Sequence, residues 1–105
     1  MVFQMSTVRK IFLARPCIVD ASLFIAESSF GSGLDMDVVC SILKELEMPE
    51  SRCSAKLGVA RFRLDNWQVM IYRNGHIDIR RVKDVDDAAR AIEMVGIMLK
   101  DGFTG

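Results

Sequence analysis

Between Gly58 and Val82 the chain alternates apolar and polar residues, which predicts three consecutive antiparallel strands. Successive side chains of a strand point to opposite faces of a sheet, so each strand separates an apolar set from a polar set. Asp65-Asn66 and Asn74-Gly75 interrupt the alternation, and we predict a type I′ turn at Asn74-Gly75. The predicted apolar face, which must be covered, consists of Phe62, Leu64, Trp67, Val69, Ile71, Ile77 and Ile79.

The other face of the predicted sheet combines arginines with flat ring side chains. Guanidinium groups match the geometry of phosphates, and aromatic rings stack on bases, so this combination is typical of a docking surface. A solvated face without a partner is the alternative, because many antiparallel sheets are wet on one side. The predicted binding-face residues are Arg61, Arg63, Gln68, Met70, Tyr72, His76, Asp78 and Arg80.

An amphipathic helix precedes these strands. Asp35 is its predicted N-cap, and the helix is expected to end near Met48 because Pro49 disfavours helical backbone before it. Before this helix Ser22–Ser28 predicts a short strand, and after it Pro49–Ala55 predicts a loop. The apolar stripe of the helix consists of Val39, Ile42, Leu43 and Leu46.

A second amphipathic helix follows the strands. Asp84 is its predicted N-cap, and the helix runs to about Lys100, with Gly102 as a left-handed stop. Met94 and Ile97 widen the apolar face beyond one stripe, which indicates deep burial or, alternatively, a contact between subunits. The stripe itself consists of Ala88, Ala91, Ile92, Val95, Met98 and Leu99.

Residues 1–20 are predicted to be an N-terminal extension of a single α+β domain at residues 21–105. Apolar residues around Ile11 fit a helix or the start of a strand, and Pro16 belongs at the edge of either. We expect an extra element packed on the domain, with a basic arm as the alternative. The predicted fold is an antiparallel sheet of four to five strands with two helices packed on one face.

The overall charge is balanced. The 105 residues include 14 Lys and Arg and 14 Asp and Glu, which weighs against strong non-specific binding to nucleic acid, because such binding depends on excess positive charge. No apolar run approaches the roughly 20 residues of a membrane span, and the first 20 residues lack the features of a signal peptide. We therefore expect no membrane contact.

The three cysteines, Cys17, Cys40 and Cys53, are odd in number and irregularly spaced. Disulfide frameworks and zinc sites usually show regular or paired spacings, so we predict buried free thiols. Free thiols are typical of reducing compartments, and we therefore expect a cytoplasmic protein.

His76 and Asp78 are two residues apart on a predicted strand and therefore share a face. Such a pair could orient an imidazole, bind a metal or act as a base. The chain has no second histidine, and a surface ion pair between Asp78 and Arg61, Arg63 or Arg80 is the simpler interpretation. We expect no catalytic residue, no metal site and no cofactor.

Three stretches together resemble one half-repeat of the TATA-binding protein family. The first strand and short helix of the family match IAESSFGSGLDMDVV, and its antiparallel strands match VARFRLDNWQVMIYRNGHIDI. Its long C-terminal helix matches DVDDAARAIEMVGIMLKDGF. The resemblance covers Ala21 to Phe103 and implies the element order β-α-β-β-β-α.

This resemblance implies that the sheet face binds nucleic acid, since the family places it in the DNA minor groove and inserts aromatic wedges there. Tyr72 stands where the family has an inserting phenylalanine, and Leu23 and Ile25 stand at groove-facing positions. Asp78 and Arg80 depart from the small or apolar residues of the family. One half-repeat would need a homodimer to form a complete saddle.

We therefore expect a non-enzymatic binding module that uses the polar sheet face, either for nucleic acid or in a regulatory role. A protein-interaction or dimerisation domain is the second interpretation, and a small-ligand site around His76 and Asp78 is the third. The predicted dimer contacts are Leu23, Ile25, Met94 and Ile97.

Overall fold

The computed structural model describes residues 10–16 and 23–104, which form one antiparallel sheet with two helices. The strands are β1 (Phe12–Pro16), β2 (Phe24–Ser29), β3 (Arg52–Ser54), β4 (Val59–Leu64), β5 (Trp67–Tyr72) and β6 (His76–Val82). They lie in the order β1-β2-β6-β5-β4-β3. The helices are α1 (Met36–Glu45) and α2 (Val85–Met98), and a 3-10 turn follows at Lys100–Gly102. No helix in the described part of the chain is both long and apolar enough to cross a membrane.

The α+β class is confirmed, but the sheet has six strands rather than four to five. Strand β1 lies in the predicted N-terminal extension and pairs with β2, while β3 lies in Pro49–Ala55, which we expected to be a loop. Pro16 ends β1 at the edge of the sheet, where a missing amide hydrogen disturbs the ladder least. The expected boundary after residue 20 lies outside the described residues.

Both helices cover the same face of the sheet, and the core lies between the two layers. The predicted apolar face is buried there, apart from the half-buried Leu64. Burying each large apolar side chain contributes about 1.5–3 kcal/mol, so the alternation along the strands decides which face the helices cover. The helices contribute the buried residues Met36, Val39, Leu43, Ala88, Ala91, Ile92 and Val95.

Helix α1 begins at the predicted N-cap, where the Asp35 carboxylate accepts hydrogen bonds from two amides of the first turn. It ends at Glu45, earlier than predicted, because Glu47 adopts a left-handed backbone with a φ of 51°. Leu46 therefore lies beyond the last helical residue and is 52% exposed. Its assignment to the buried stripe was wrong.

One buried carboxylate, that of Asp87, fixes the start of α2 to the sheet. Its Oδ2 accepts hydrogen bonds from the Trp67 indole at 3.1 Å and the Lys83 amide at 2.9 Å, and its Oδ1 accepts one from Arg90 at 2.9 Å. Burial alone would raise the pKa of Asp87, but these three hydrogen bonds outweigh it and hold the pKa below its usual value. Asp84 is the N-cap, as predicted, and accepts from the Asp87 amide.

The end of α2 differs from the prediction in two respects. Gly102 does not adopt the left-handed conformation; it lies in the 3-10 turn, where an added Cβ would approach Val39 to 3.3 Å. Met94 and Ile97 are 42% and 57% exposed, so the deep-burial interpretation is wrong. A subunit contact through these two residues stays a prediction.

A β-bulge at Arg81 changes the alternation of β6. Arg80 and Val82 pair with consecutive residues of β2, which leaves Arg81 as an extra residue with a φ of 70°. Unbroken alternation would have directed Arg81 into the core. With the bulge, Val82 is fully buried instead and Arg81 is exposed.

The β5–β6 hairpin closes through a three-residue loop at 73–75, so the predicted type I′ turn is wrong. Gly75 has a φ of 92°, whereas Asn74 does not have a positive φ. The Gly75 amide donates to the Tyr72 carbonyl at 2.8 Å. This is the arrangement of a type I turn followed by a left-handed glycine.

The same loop is held against the connection between β2 and α1. The Gly75 carbonyl accepts from the Phe30 amide at 2.9 Å, and the Arg73 carbonyl accepts from the Leu34 amide at 2.8 Å. An added Cβ at Gly75 would collide with the Ser32 backbone. Glycine is therefore required here both for the backbone conformation and for the close approach.

A disulfide joins Cys40 of α1 to Cys53 of β3. The prediction of free thiols is wrong for this pair, and Cys17 lies outside the described residues. The bond links residues 13 apart in sequence, and closing a loop of about 15 residues stabilises a fold by about 3 kcal/mol in the chain-entropy model. The expectation of a cytoplasmic location loses the support it drew from free thiols.

The Asp87 contacts generate a stability prediction. We expect Asp87→Asn to destabilise the fold by about 1–3 kcal/mol near neutral pH, because the buried donors lose a charged acceptor. Since the folded pKa of Asp87 is depressed, its contribution is present above the unfolded pKa of about 3.9 and is lost as the pH falls through the folded value. Urea unfolding from neutral to acidic pH measures the difference from wild type, which should shrink on acidification.

Asp86→Asn is the matched control, since Asp86 lies exposed in the same helical turn. An equal loss of stability in both variants would contradict the specific role assigned to Asp87.

Candidate binding face

No helix in the described part of the chain covers the second side of the sheet, which we call the open face. All eight predicted binding-face residues lie on this side. Each of them either alternates along its strand with buried residues or lies opposite a residue that does so on the neighbouring strand. Register and the bulge add eight described residues to them. The open face consists of Phe12, Ile25, Glu27, Ser29, Arg52, Ser54, Val59, Arg61, Arg63, Gln68, Met70, Tyr72, His76, Asp78, Arg80 and Arg81.

Charge is separated across the open face. Glu27 of β2 lies opposite Asp78 of β6, and Asp78 lies opposite Met70 of β5. Met70 in turn lies opposite Arg61, which lies opposite Arg52 at the far edge. One transverse row therefore passes from two carboxylates to two guanidinium groups.

Arginines are concentrated toward the Asp65-Asn66 turn. Arg63 forms an ion pair with Glu50 at 3.1 Å, and both side chains are about half exposed, so the pair contributes little to stability. Arg81 lines a depression beside Arg63 and Gln68. Four arginines of the open face form no ion pair with any described residue: Arg52, Arg61, Arg80 and Arg81.

Tyr72, His76 and Asp78 form a cluster at the other end of the face. His76 Nε2 lies 2.8 Å from Asp78 Oδ1, and the Tyr72 and His76 ring centroids are 5.4 Å apart. The Tyr72 hydroxyl donates to Met70 Sδ at 2.9 Å, with Asp78 Oδ2 at 3.5 Å. In the described part of the chain Asp78 thus pairs with His76, and the expected ion pair with an arginine is not formed.

The surroundings of Tyr72 favour its neutral form. Burial raises the pKa of Tyr72, and the charge of Asp78 together with its hydrogen bond raises it further. Arg80 opposes this effect, and Glu27 adds to it. The phenol therefore remains a neutral hydrogen-bond donor at any ordinary pH.

A depression of ≈ 370 Å³ lies in the middle of the open face. Arg61 and Arg80 line it together with the carboxylates of Glu27 and Asp78, so it presents donors and acceptors to the same volume. It includes Ile25, which is only 6% exposed. The lining residues are Ile25, Glu27, Arg61, Gln68, Val69, Met70, Tyr72, Asp78 and Arg80.

Three charged residues of the open face were not among the predicted ones: Glu27, Arg52 and Arg81. Arg81 carried a signal, since the apolar Val82 falls out of phase with Ile77 and Ile79 and so indicates an extra residue. Glu27 carried one as well, since it lies two residues after Ile25, which was expected at a groove-facing position. Arg52 carried none, because the segment that contains it was expected to be a loop.

The four predicted dimer-contact residues do not form one surface. Ile25 belongs to the open face, while Met94 and Ile97 are exposed on α2, which covers the other side of the sheet. Leu23 is half-buried just before β2. A single contact between two copies can therefore include only part of the set.

Within the described residues, the fold and the open face define a small α+β domain with both helices on one side of an antiparallel sheet. This arrangement is similar to the TBP of Methanococcus jannaschii, with a TM-score of 0.63 over 77% of this chain at 19% identity. The match spans 47% of the TBP chain, and the predicted likeness to a TBP half-repeat is confirmed at the level of the fold. The sequence matches no protein-family model and no curated protein.

The cluster around Tyr72 generates a spectroscopic prediction. Tyr72 is the only tyrosine of the chain, so alkaline titration of its ultraviolet absorbance reports one group. We expect its pKa to lie above the ordinary value of about 10 and to fall toward that value in Asp78→Asn, which removes the adjacent charge. The same titration of Asp101→Asn, which changes an exposed carboxylate outside the open face, should leave the pKa unchanged. A tyrosine pKa insensitive to Asp78→Asn would contradict the electrostatic coupling.

Proposed function

We propose that the protein is a non-enzymatic nucleic-acid-binding module and that the open face is its binding surface. The observation that carries the proposal is the group of arginines without ion-pair partners among the described residues, on a sheet face that no described helix covers. Guanidinium groups bind phosphate oxygens through paired, planar hydrogen bonds. A balanced net charge does not oppose this interaction locally, because the charge of the open face is unevenly distributed.

The geometry favours phosphate contact over insertion of an aromatic wedge. Tyr72 is half-buried, and its hydroxyl is engaged by Met70 and Asp78. Moving its ring between two bases would break these contacts. We infer that Arg61, Arg80 and neighbouring arginines bind the backbone, while the exposed edge of the Tyr72–His76 pair stacks against a base.

The two carboxylates of the row limit where the backbone can pass. Glu27 and Asp78 would repel phosphates over the end of β2 and β6 that lies near Tyr72. The backbone should therefore follow β4 and the Asp65-Asn66 end of the sheet, where Arg63 and Arg81 lie. This asymmetry gives the bound strand one preferred path.

Fluorescence anisotropy with labelled single-stranded and double-stranded oligonucleotides tests the proposal across a salt series. We expect binding at low salt that weakens as salt is added, because counterions are released from the phosphates. Arg80→Ala should weaken binding and reduce the slope of log affinity against log salt by about 1, as should Arg61→Ala.

Lys44→Ala is the charge-matched control. It removes one exposed positive charge from α1, on the covered side of the sheet, and should leave both affinity and slope unchanged. Absence of binding to either oligonucleotide at low salt would end the proposal, and so would equal losses in the Lys44 and Arg80 variants.

A second candidate function is self-association through the outer surface of α2. Met94 and Ile97 are exposed and three residues apart, so they lie side by side on one helix face. We propose that these two side chains contact the same helix of a partner copy.

Light scattering over a range of concentrations distinguishes this candidate. We expect a dimer that Ile97→Glu converts to a monomer, because a charge would be buried in the contact. Leu57→Glu serves as the control, since Leu57 is 76% exposed and lies away from α2. A monodisperse monomer at high protein concentration would rule out this mode of assembly.

A further inference from the structure

Three different side chains with metal-binding atoms converge on the open face. Glu27 and Asp78 lie directly opposite each other on β2 and β6, and His76 lies two residues before Asp78 on the same side. One ligand atom from each of Glu27, His76 and Asp78 lies within 4.8 Å of the other two. All three residues are half-buried, so the group is reachable from solvent.

The two carboxylates of this group lie opposite each other on neighbouring strands, and His76 pairs with only one of them, Asp78. Like charges placed directly opposite each other on neighbouring strands destabilise a sheet. Among the residues whose side chains the structure describes, no lysine or arginine forms an ion pair with Glu27 or Asp78. A cation between the two carboxylates would remove this repulsion.

The donor set and its dimensions fit a divalent transition-metal ion. Zinc binds imidazole nitrogen at about 2.0–2.1 Å and carboxylate oxygen at about 2.0–2.2 Å in a tetrahedral arrangement, so two of its ligand atoms lie about 3.3–3.6 Å apart. The ligand atoms of the three residues lie within 4.8 Å of one another, so they must approach each other by at most about 1.5 Å when the ion binds. His76 Nε2 already lies beside Asp78 Oδ1, at 2.8 Å.

Neighbouring groups support the same geometry. The Tyr72 hydroxyl lies 3.5 Å from Asp78 Oδ2, the oxygen that does not contact His76, and so helps to orient that carboxylate. The imidazole favours zinc, iron or nickel over magnesium or calcium, which prefer oxygen ligands alone. Three protein ligands leave further coordination positions open to water on the solvent side.

We propose that Glu27, His76 and Asp78 form a binding site for one divalent transition-metal ion of the zinc class. Glu27 and Asp78 each supply a carboxylate oxygen, and His76 supplies Nε2 from a neutral ring whose proton is on Nδ1. The site goes beyond nucleic-acid binding and does not rest on it.

Calorimetric titration of the EDTA-treated full chain with zinc chloride, without nucleic acid, tests the site. His76 is the only histidine of the chain, so proton NMR of its imidazole reports binding at this position alone. We expect one zinc ion per chain together with a shift of the imidazole resonances. Glu27→Gln and Asp78→Asn should each weaken zinc binding by about tenfold or more. Removal of a group that only supports a metal ligand typically lowers metal affinity by about 10–100-fold, and loss of a ligand itself should cost at least as much.

Glu93→Gln is the matched control, because it removes one exposed carboxylate from α2 and should bind zinc as the wild type does. Circular dichroism without zinc checks that each variant is folded. The wild-type titration tests the proposal even if a variant fails to fold. Absence of a binding heat, or zinc uptake without a shift of the imidazole resonances, would overturn the proposed site. Wild-type affinity in a folded Glu27→Gln variant would do so as well.

Discussion

The structure depends on one constraint: alternate residues of each strand face opposite sides of a sheet, and both described helices cover the same side. Because Val69, Ile71, Ile77 and Ile79 are buried under α1 and α2, the residues that alternate with them along β5 and β6 lie on the open face. At Arg81 the sequence departs from the alternation of apolar and polar residues, and the bulge there directs the apolar Val82 into the core. A shift of one residue in β4 or β6 would exchange arginines for core residues, so the binding surface and the hydrophobic core are specified together.

Local patterns predicted what depends on local physics. Alternation gave the three central strands and their buried faces, and Asp35 and Asp84 marked both helix starts. The disulfide between Cys40 and Cys53 and the pairing of Glu27 with Asp78 join elements distant in sequence, and no period or spacing encodes which strand lies beside which. The predicted residues of the open face therefore lie on one side, but the pairing of Glu27 with Asp78 and the place of Arg52 emerged only from the strand order.

The open face has two electrostatic halves because of that strand order. Strand β6 is placed between β2 and β5, which brings the carboxylate of Asp78 beside that of Glu27 and away from Arg61. The likeness to the TBP of Methanococcus jannaschii concerns the backbone arrangement, whereas this charge division is a property of the present side chains. Fold alone therefore does not give this chain the TBP binding mode.

The anchoring of the β5–β6 loop has a consequence for how any partner is recognised. Backbone hydrogen bonds from Phe30 and Leu34, and the close contact between Gly75 and Ser32, attach this loop to a second part of the chain. Tyr72 and His76 stand at its base, so they cannot swing outward as a flap without detaching the loop. The two rings therefore lose little conformational entropy when a partner binds, and the partner must adjust its own shape to fit them.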